Sequence, residues 1–208
     1  MVLDRYRGIA DRFLLGPAER LRDVDPNAVS WIAFGSAVVS GVGFFVGGPL
    51  PLALALLFLL GNAYLDALDG KIAKIAGKAS IRGDFLDHVL DRYADVFLLG
   101  GVAFGLYSEL WVGTLALLGV LLTSYMGTQA QAVGQGRRYA GLLGRADRLV
   151  LLFVGGIVQL VVAPSAGLAW GIAPVLFSPL EWFLLLFAVL GNATAVQRAL
   201  GIWRGLST

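Results

Sequence analysis

Six aspartates, Asp66, Asp69, Asp84, Asp87, Asp91 and Asp95, crowd into one stretch of a 208-residue chain that has only 14 acidic residues. On a helix Asp66 and Asp69 share a face, and Asp87, Asp91 and Asp95 step by four into a stripe. The stretch also holds the ends of two apolar segments. A carboxylate near hydrocarbon loses hydration worth several kcal/mol, so such groups face a watery cavity, a cationic partner or a metal. Unneutralised, they would repel one another strongly. Oxygen ligands, with no cysteine in the chain and only His88 nearby, suit hard cations such as Mg²⁺ or Mn²⁺ better than zinc. Two such ions about 4 Å apart would neutralise the group and could bind a diphosphate between them. Gly70, Ala73 and Gly83 leave room for a nucleotide to approach, and Lys74 can contact phosphate. Asp84 is expected to pair with Arg82, Asp95 to support the site from behind, and His88, off the stripe, to be a satisfied interface residue.

The segments that position these acids are apolar. The chain is 58% hydrophobic and 14% charged with a mean hydropathy of +0.78, outside the balance of a soluble domain. Apolar stretches near 28–48, 50–69, 85–107, 110–133, 149–169 and 174–197 are each long enough to cross about 30 Å of hydrocarbon. The expected fold is all-α, a six-helix transmembrane bundle. Every Lys and Arg falls before the first stretch, around the second and third, between the fourth and fifth (Arg137, Arg138, Arg145, Arg148), or at the end (Arg198, Arg204). The alternate loops carry none. This asymmetry predicts cytoplasmic termini and a site facing the cytoplasm of a cell membrane.

Residues 1–27 form a separate N-terminal segment ahead of a 28–208 membrane domain. Leu3, Ile9, Phe13 and Leu14 lie among Arg5, Arg7, Asp11 and Arg12, the pattern of an amphipathic helix resting on the cytoplasmic leaflet. Charge throughout this segment leaves no apolar core for a secretory signal, so it is expected to stay in the mature protein. An ion pathway in a transporter is the other setting in which membrane carboxylates cluster, but the chain lacks two resembling halves.

The segment DALDGKIAKIAGKASIRGDFLDHVLD, Asp66 to Asp91, resembles the signature of the CDP-alcohol phosphotransferase family: Asp, two residues, Asp-Gly, two residues, Ala-Arg, about eight residues, Gly, three residues, Asp, three residues, Asp. Lys74 stands where the family usually has Arg, keeping the charge without the bidentate geometry. The resemblance implies transfer of a phosphatidyl-type or archaetidyl-type group from a CDP-linked lipid to a small alcohol, releasing CMP. It implies two metal ions held by Asp66, Asp69, Asp87 and Asp91, with Asp91 also the general base. Gly70, Lys74 and Gly83 should line the CDP pocket with Ser80 at the diphosphate. Asn27 and Ser30, in PNAVS, resemble the family's nucleotide-contacting PN..T. A homodimer among membrane lipids is implied, and nucleic acid is not among the expected partners.

The acceptor should meet a second patch, where Tyr125, Gln129, Arg145, Arg148 and Arg198 approach the same cytoplasmic face. These segments resemble the inositol-phosphate-using branch, with its SY.KAR, ER.ER and T..QR. Arg148, Thr194, Gln197 and Arg198 fit, whereas Gly127 and Gln129 replace the expected Lys and Arg. A phosphorylated polyol such as inositol phosphate or glycerol phosphate is the expected acceptor, and serine and free inositol are alternatives.

Asp91→Asn preserves volume but removes both the charge and the basic oxygen. Turnover, followed as CMP release, should fall about 10²–10⁴-fold, while nucleotide binding suffers less. Asp69→Asn should impair both, and Asp95→Asn should matter less than either.

Overall fold

A computed structural model describes residues 7–136, 144–162 and 177–206. Among them the chain forms seven helices: α1 (Arg7–Arg20), α2 (Pro26–Val46), α3 (Pro49–Ile75), α4 (Ile81–Ala103), α5 (Leu110–Ala132), α6 (Arg145–Val162) and α7 (Pro179–Gly205). Punctuation residues set most of the boundaries. Asp25 caps α2 by accepting the Asn27 N–H at 3.0 Å ahead of Pro26, and Ser80 caps α4 by accepting the Gly83 N–H at 3.1 Å. Both are short acceptors placed where a helix start leaves N–H groups unmet. Between α2 and α3 the chain reverses through Gly47 and Gly48, at φ of 69° and 88°, which side chains rarely adopt.

Four helices, α2, α3, α5 and α7, are long and apolar enough to cross a membrane. The other two expected spans, α4 and α6, have charge within the stretch that would cross: Arg82, Asp84, Asp87, Asp91, Arg92 and Asp95 on α4, and Arg145, Asp147 and Arg148 on α6. The expected fifth span is described only as far as Val162, and the start of the sixth, like Arg137 and Arg138, lies outside the described residues. The N-terminal segment contains the helix α1. It buries Leu14 and Ala18 against Val29, Leu68 and Ile72 while Phe13 is 74% exposed.

Phe44, Leu52, Leu59, Leu98, Val102, Leu152, Leu184 and Phe187 form the common core. Glycines let two helix pairs approach within backbone contact. A Cβ on Gly101 of α4 would fall on the backbone of Gly41 in α2, and one on Gly119 of α5 would lie 2.8 Å from the Asn192 nitrogen of α7. Such small-residue seams substitute for the hydrophobic drive that lipid cannot supply. Trp31, Ile32, Leu50, Leu57 and Val189 face outward.

The end of the bundle away from the aspartates is tied by side chains bonded to backbone groups. The Gly48 N–H donates to the Tyr107 hydroxyl at 2.6 Å, and the Ser178 hydroxyl to the Tyr107 carbonyl at 2.5 Å. Glu181, in a capping box with Ser178, accepts the Glu109 N–H at 2.5 Å. These bonds fix three connections at one level, and with them the tilt at which α3 and α4 reach the opposite end.

Gly101→Leu should force α2 and α4 apart and lower stability by about 1–3 kcal/mol or more, read as a fall in the thermal unfolding midpoint in detergent. Gly35→Leu is the control, since a Cβ on Gly35 meets nothing within 4 Å and its midpoint should hold.

Candidate active site

Helix α3 ends at Ile75, Gly77 at φ 63° turns the chain, and α4 starts at Ile81. The acids on the two antiparallel helices therefore meet at one end of the bundle. Carboxylate oxygens of Asp66, Asp87 and Asp91 all lie within 4.8 Å of one another. Asp69, the other acid of the expected quartet, is 5% exposed and turned toward α2, where the Ser30 hydroxyl donates to it at 2.5 Å. Three of the four acids thus gather directly, and the fourth is oriented one step away.

Three arginines answer these acids. Arg145 Nη1 of α6 stands 2.5 Å from Asp66 and 2.6 Å from Asp91. Arg92 is 3.5 Å from Asp91 and 3.2 Å from Asp95, and it also donates to the Ser124 hydroxyl of α5. Arg148 completes the chain at 3.1 Å from Asp95. Three of the aspartates, Asp66, Asp91 and Asp95, are thus paired with Arg92, Arg145 and Arg148. Asp91 Oδ1, although close to Arg145, has no aligned hydrogen bond, and neither does the buried Asn62 Oδ1. Three clustered carboxylates with no sulfur ligand among them suit a hard divalent cation.

Beside this group opens a cavity of about 510 Å³, the size of a small-molecule site. All six residues expected to hold a nucleotide line it: Asn27 and Ser30 from α2, Gly70 and Lys74 from α3, and Ser80 and Gly83 at the start of α4. Asp69 and Asp87 line it as well, so the cavity and the acid group share a wall. Gly70 leaves its face open, and a Cβ on Gly83 would come within 3.4 Å of Asn27 Oδ1 and 3.3 Å of Ser80 Oγ.

Of the five residues expected for an acceptor, Arg145 alone touches Asp66 and Asp91 among the described residues. Arg148 is buried behind it on Asp95, and Arg198 donates to the Thr123 carbonyl at 2.7 Å. Tyr125 is exposed and Gln129 half-buried on α5. Asp84 stands 3.6 Å from His88 rather than in the expected pair with Arg82, because i and i+4 face one another on a helix and i and i+2 do not. His88 also lies 2.7 Å from the Asp84 carbonyl. Sequence reasoning missed Asp25 and Lys78 in the cavity wall. An acceptor side chain followed by Pro before an apolar run signalled Asp25 as a cap.

Charged helix ends, a group of carboxylates that could hold a metal ion and a cavity of small-molecule size lie together at one end of an apolar bundle. The model of the CDP-alcohol phosphatidyltransferase family matches residues 24–190, and the chain belongs to that family. It is 32% identical to an archaetidylinositol phosphate synthase of Pyrococcus horikoshii over 150 residues, 71% of this chain and 78% of that one. It is 33% identical to a phosphatidylinositol phosphate synthase of Cutibacterium acnes over 198 residues, covering 87% of this chain and 86% of that one. The fold matches the crystal structure of Mycobacterium tuberculosis phosphatidylinositol phosphate synthase with CDP-DAG bound, at a TM-score of 0.74 and 23% identity over 92% of this chain and 94% of that one. It also matches that protein in complex with manganese and citrate, at a TM-score of 0.73 and 23% identity over 91% and 88% of the two chains. The protein is a membrane transferase of phospholipid biosynthesis that moves a phosphatidyl-type group from a CDP-linked lipid to an alcohol.

A cation entering between Asp66 and Asp91 must displace Arg145. Arg145→Gln should therefore tighten Mn²⁺ binding to the substrate-free protein, by about tenfold if one weakened ion pair is relieved. Paramagnetic resonance of free Mn²⁺ measures this, and weaker binding in the variant would show that Arg145 instead holds the carboxylates ready.

Proposed function

We propose that the chain is a six-span enzyme of the cell membrane, acting as a homodimer, that joins a CDP-linked lipid to a phosphorylated polyol, inositol phosphate being the acceptor its relatives' names favour. Its site faces the cytoplasm, on the side where all Lys and Arg fall, and α1, with Phe13 outward, lies along that leaflet. The observation that carries the reading is the shared wall. Asp87 belongs both to the acid group and to the cavity, which Asp69 also lines, so a diphosphate lying in the cavity has its charge beside the cation ligands.

Asp66, Asp69, Asp87 and Asp91 would hold two ions, Mg²⁺ or Mn²⁺. Bound there, metal would offset the charge of the diphosphate and of the CMP that leaves. Asn27, Ser30, Gly70, Lys74, Ser80 and Gly83 hold the cytidine diphosphate, Lys74 as a point charge on phosphate. Arg145, Arg148 and Arg198, with Tyr125 and Gln129, meet the acceptor. Arg145 and Arg148 each keep an Nε–H without a hydrogen-bond partner, so an acceptor phosphate can add to the network there. Asp91 takes the proton of the acceptor hydroxyl, whose oxygen bonds to the lipid-side phosphorus as the bond to CMP breaks. Direct transfer of this kind inverts a chiral phosphorus.

CMP release by the purified protein with Mg²⁺ and CDP-lipid should be fastest with inositol phosphate among glycerol phosphate, serine and free inositol. Arg148→Gln should raise the acceptor KM by at least about tenfold, an unpaired charge-assisted bond being worth about 1.5–3 kcal/mol. Turnover of serine alone would exclude the phosphorylated acceptor, and absence of CMP with every alcohol would exclude the transfer.

A further inference from the structure

Lys78 lies in the spacer of the acidic motif, between Lys74 and Gly83, and its ammonium faces across the mouth of the cavity to the chain ahead of α2. Its backbone is fixed first. Gly77 turns the chain at positive φ, and the Lys78 N–H closes on the Ala73 carbonyl at 2.9 Å. From there Nζ reaches the carbonyl oxygens of Arg22, Asp23 and Val24 at 3.1, 3.0 and 3.1 Å. An ammonium has three N–H donors, and each has an acceptor here. The three carbonyls belong to the turn between α1 and α2, where peptide oxygens have no helical partner.

The next residue, Asp25, caps α2 and is followed by Asn27 and Ser30 on one wall of the cavity. The opposite wall is α3 and the start of α4. Lys78 thus joins the connector that places one wall to the connector that ends the other. We propose that Lys78 is a positioning residue for the nucleotide, a clasp that sets the separation of the two walls, and that it is not a phosphate ligand. With its donors committed to carbonyl oxygens, Lys78 has none directed at phosphate, and that contact falls to Lys74 one turn earlier. The assignment rests on the cavity being the nucleotide site.

The test uses the full-length protein in detergent with CDP as the probe and calorimetric affinity as the readout, beside CDP-lipid turnover. Lys78→Met should weaken CDP binding and raise the CDP-lipid KM by about tenfold, as expected when binding geometry must be restored at the expense of affinity, with kcat at saturation held within about twofold. The decisive variant pairs Lys78→Cys with Asp23→Cys, clean because the chain has no other cysteine. A short uncharged bis-maleimide linker, alkylating both thiols, should restore CDP affinity without restoring any charge. Unchanged affinity in Lys78→Met would overturn the clasp. So would a verified cross-link that fails to restore binding, which would assign the charge of Lys78 to the nucleotide itself. If the unmodified protein binds no CDP, the cavity reading fails with it, an outcome distinct from both.

Discussion

Carboxylates at the edge of hydrocarbon must be neutralised, and this requirement organises the bundle. Asp66 and Asp91 draw Arg145 from α6, Asp95 draws Arg148 from the next turn, and Arg92 bridges Asp91 and Asp95 while reaching Ser124 of α5. Four helices are tied together by charge at the level where their apolar surfaces give out. Removing one member leaves a buried charge alone, which costs far more than the pair contributes. The network therefore specifies which helices meet more than it adds stability.

The two ends of the bundle are held by different chemistry. Around Tyr107, Ser178 and Glu181 the bonds are to backbone N–H and carbonyl groups and involve no arginine. Such bonds fix geometry and leave nothing over for a ligand. At the aspartate end the partners are side chains, several with unmet atoms, and the arrangement can be rewritten when a cation or an anion enters. Glycine seams at Gly41 with Gly101 and at Gly119 with Gly191 make the α2–α4 and α5–α7 pairs close units.

Helical spacing made much of this legible beforehand. Asp66, Asp69, Asp87 and Asp91 are local in sequence, so their faces follow from a period of 3.6 residues, whereas the cavity residues were implied by the family resemblance, Asn27 and Ser30 through PNAVS and the rest through the acidic motif. Apolar length marked α2, α3, α5 and α7, but α4 and α6 trade apolarity for the charges they carry. Pairings between distant helices were not legible. Arg145 meets Asp66 across 79 residues, and no local pattern says which arginine answers which acid. Asp69 turned from its neighbours because Ser30, 39 residues earlier, offers it a hydroxyl. Lys78 reads as another surface cation until the carbonyls 54 to 56 residues before it come into reach.

The polar cavity at the start of α4 has Ile81 and Phe85 beside it, 91% and 69% exposed. An amphiphile can straddle this ledge with its head among charges and its chains still among other chains, so it never has to be extracted from its leaflet. After transfer the products differ in solubility. One remains dissolved in the two-dimensional fluid it came from, and the other diffuses into bulk water. A site at a phase boundary thus separates its products by partitioning, and recombination requires the departing nucleotide to find the same small area again.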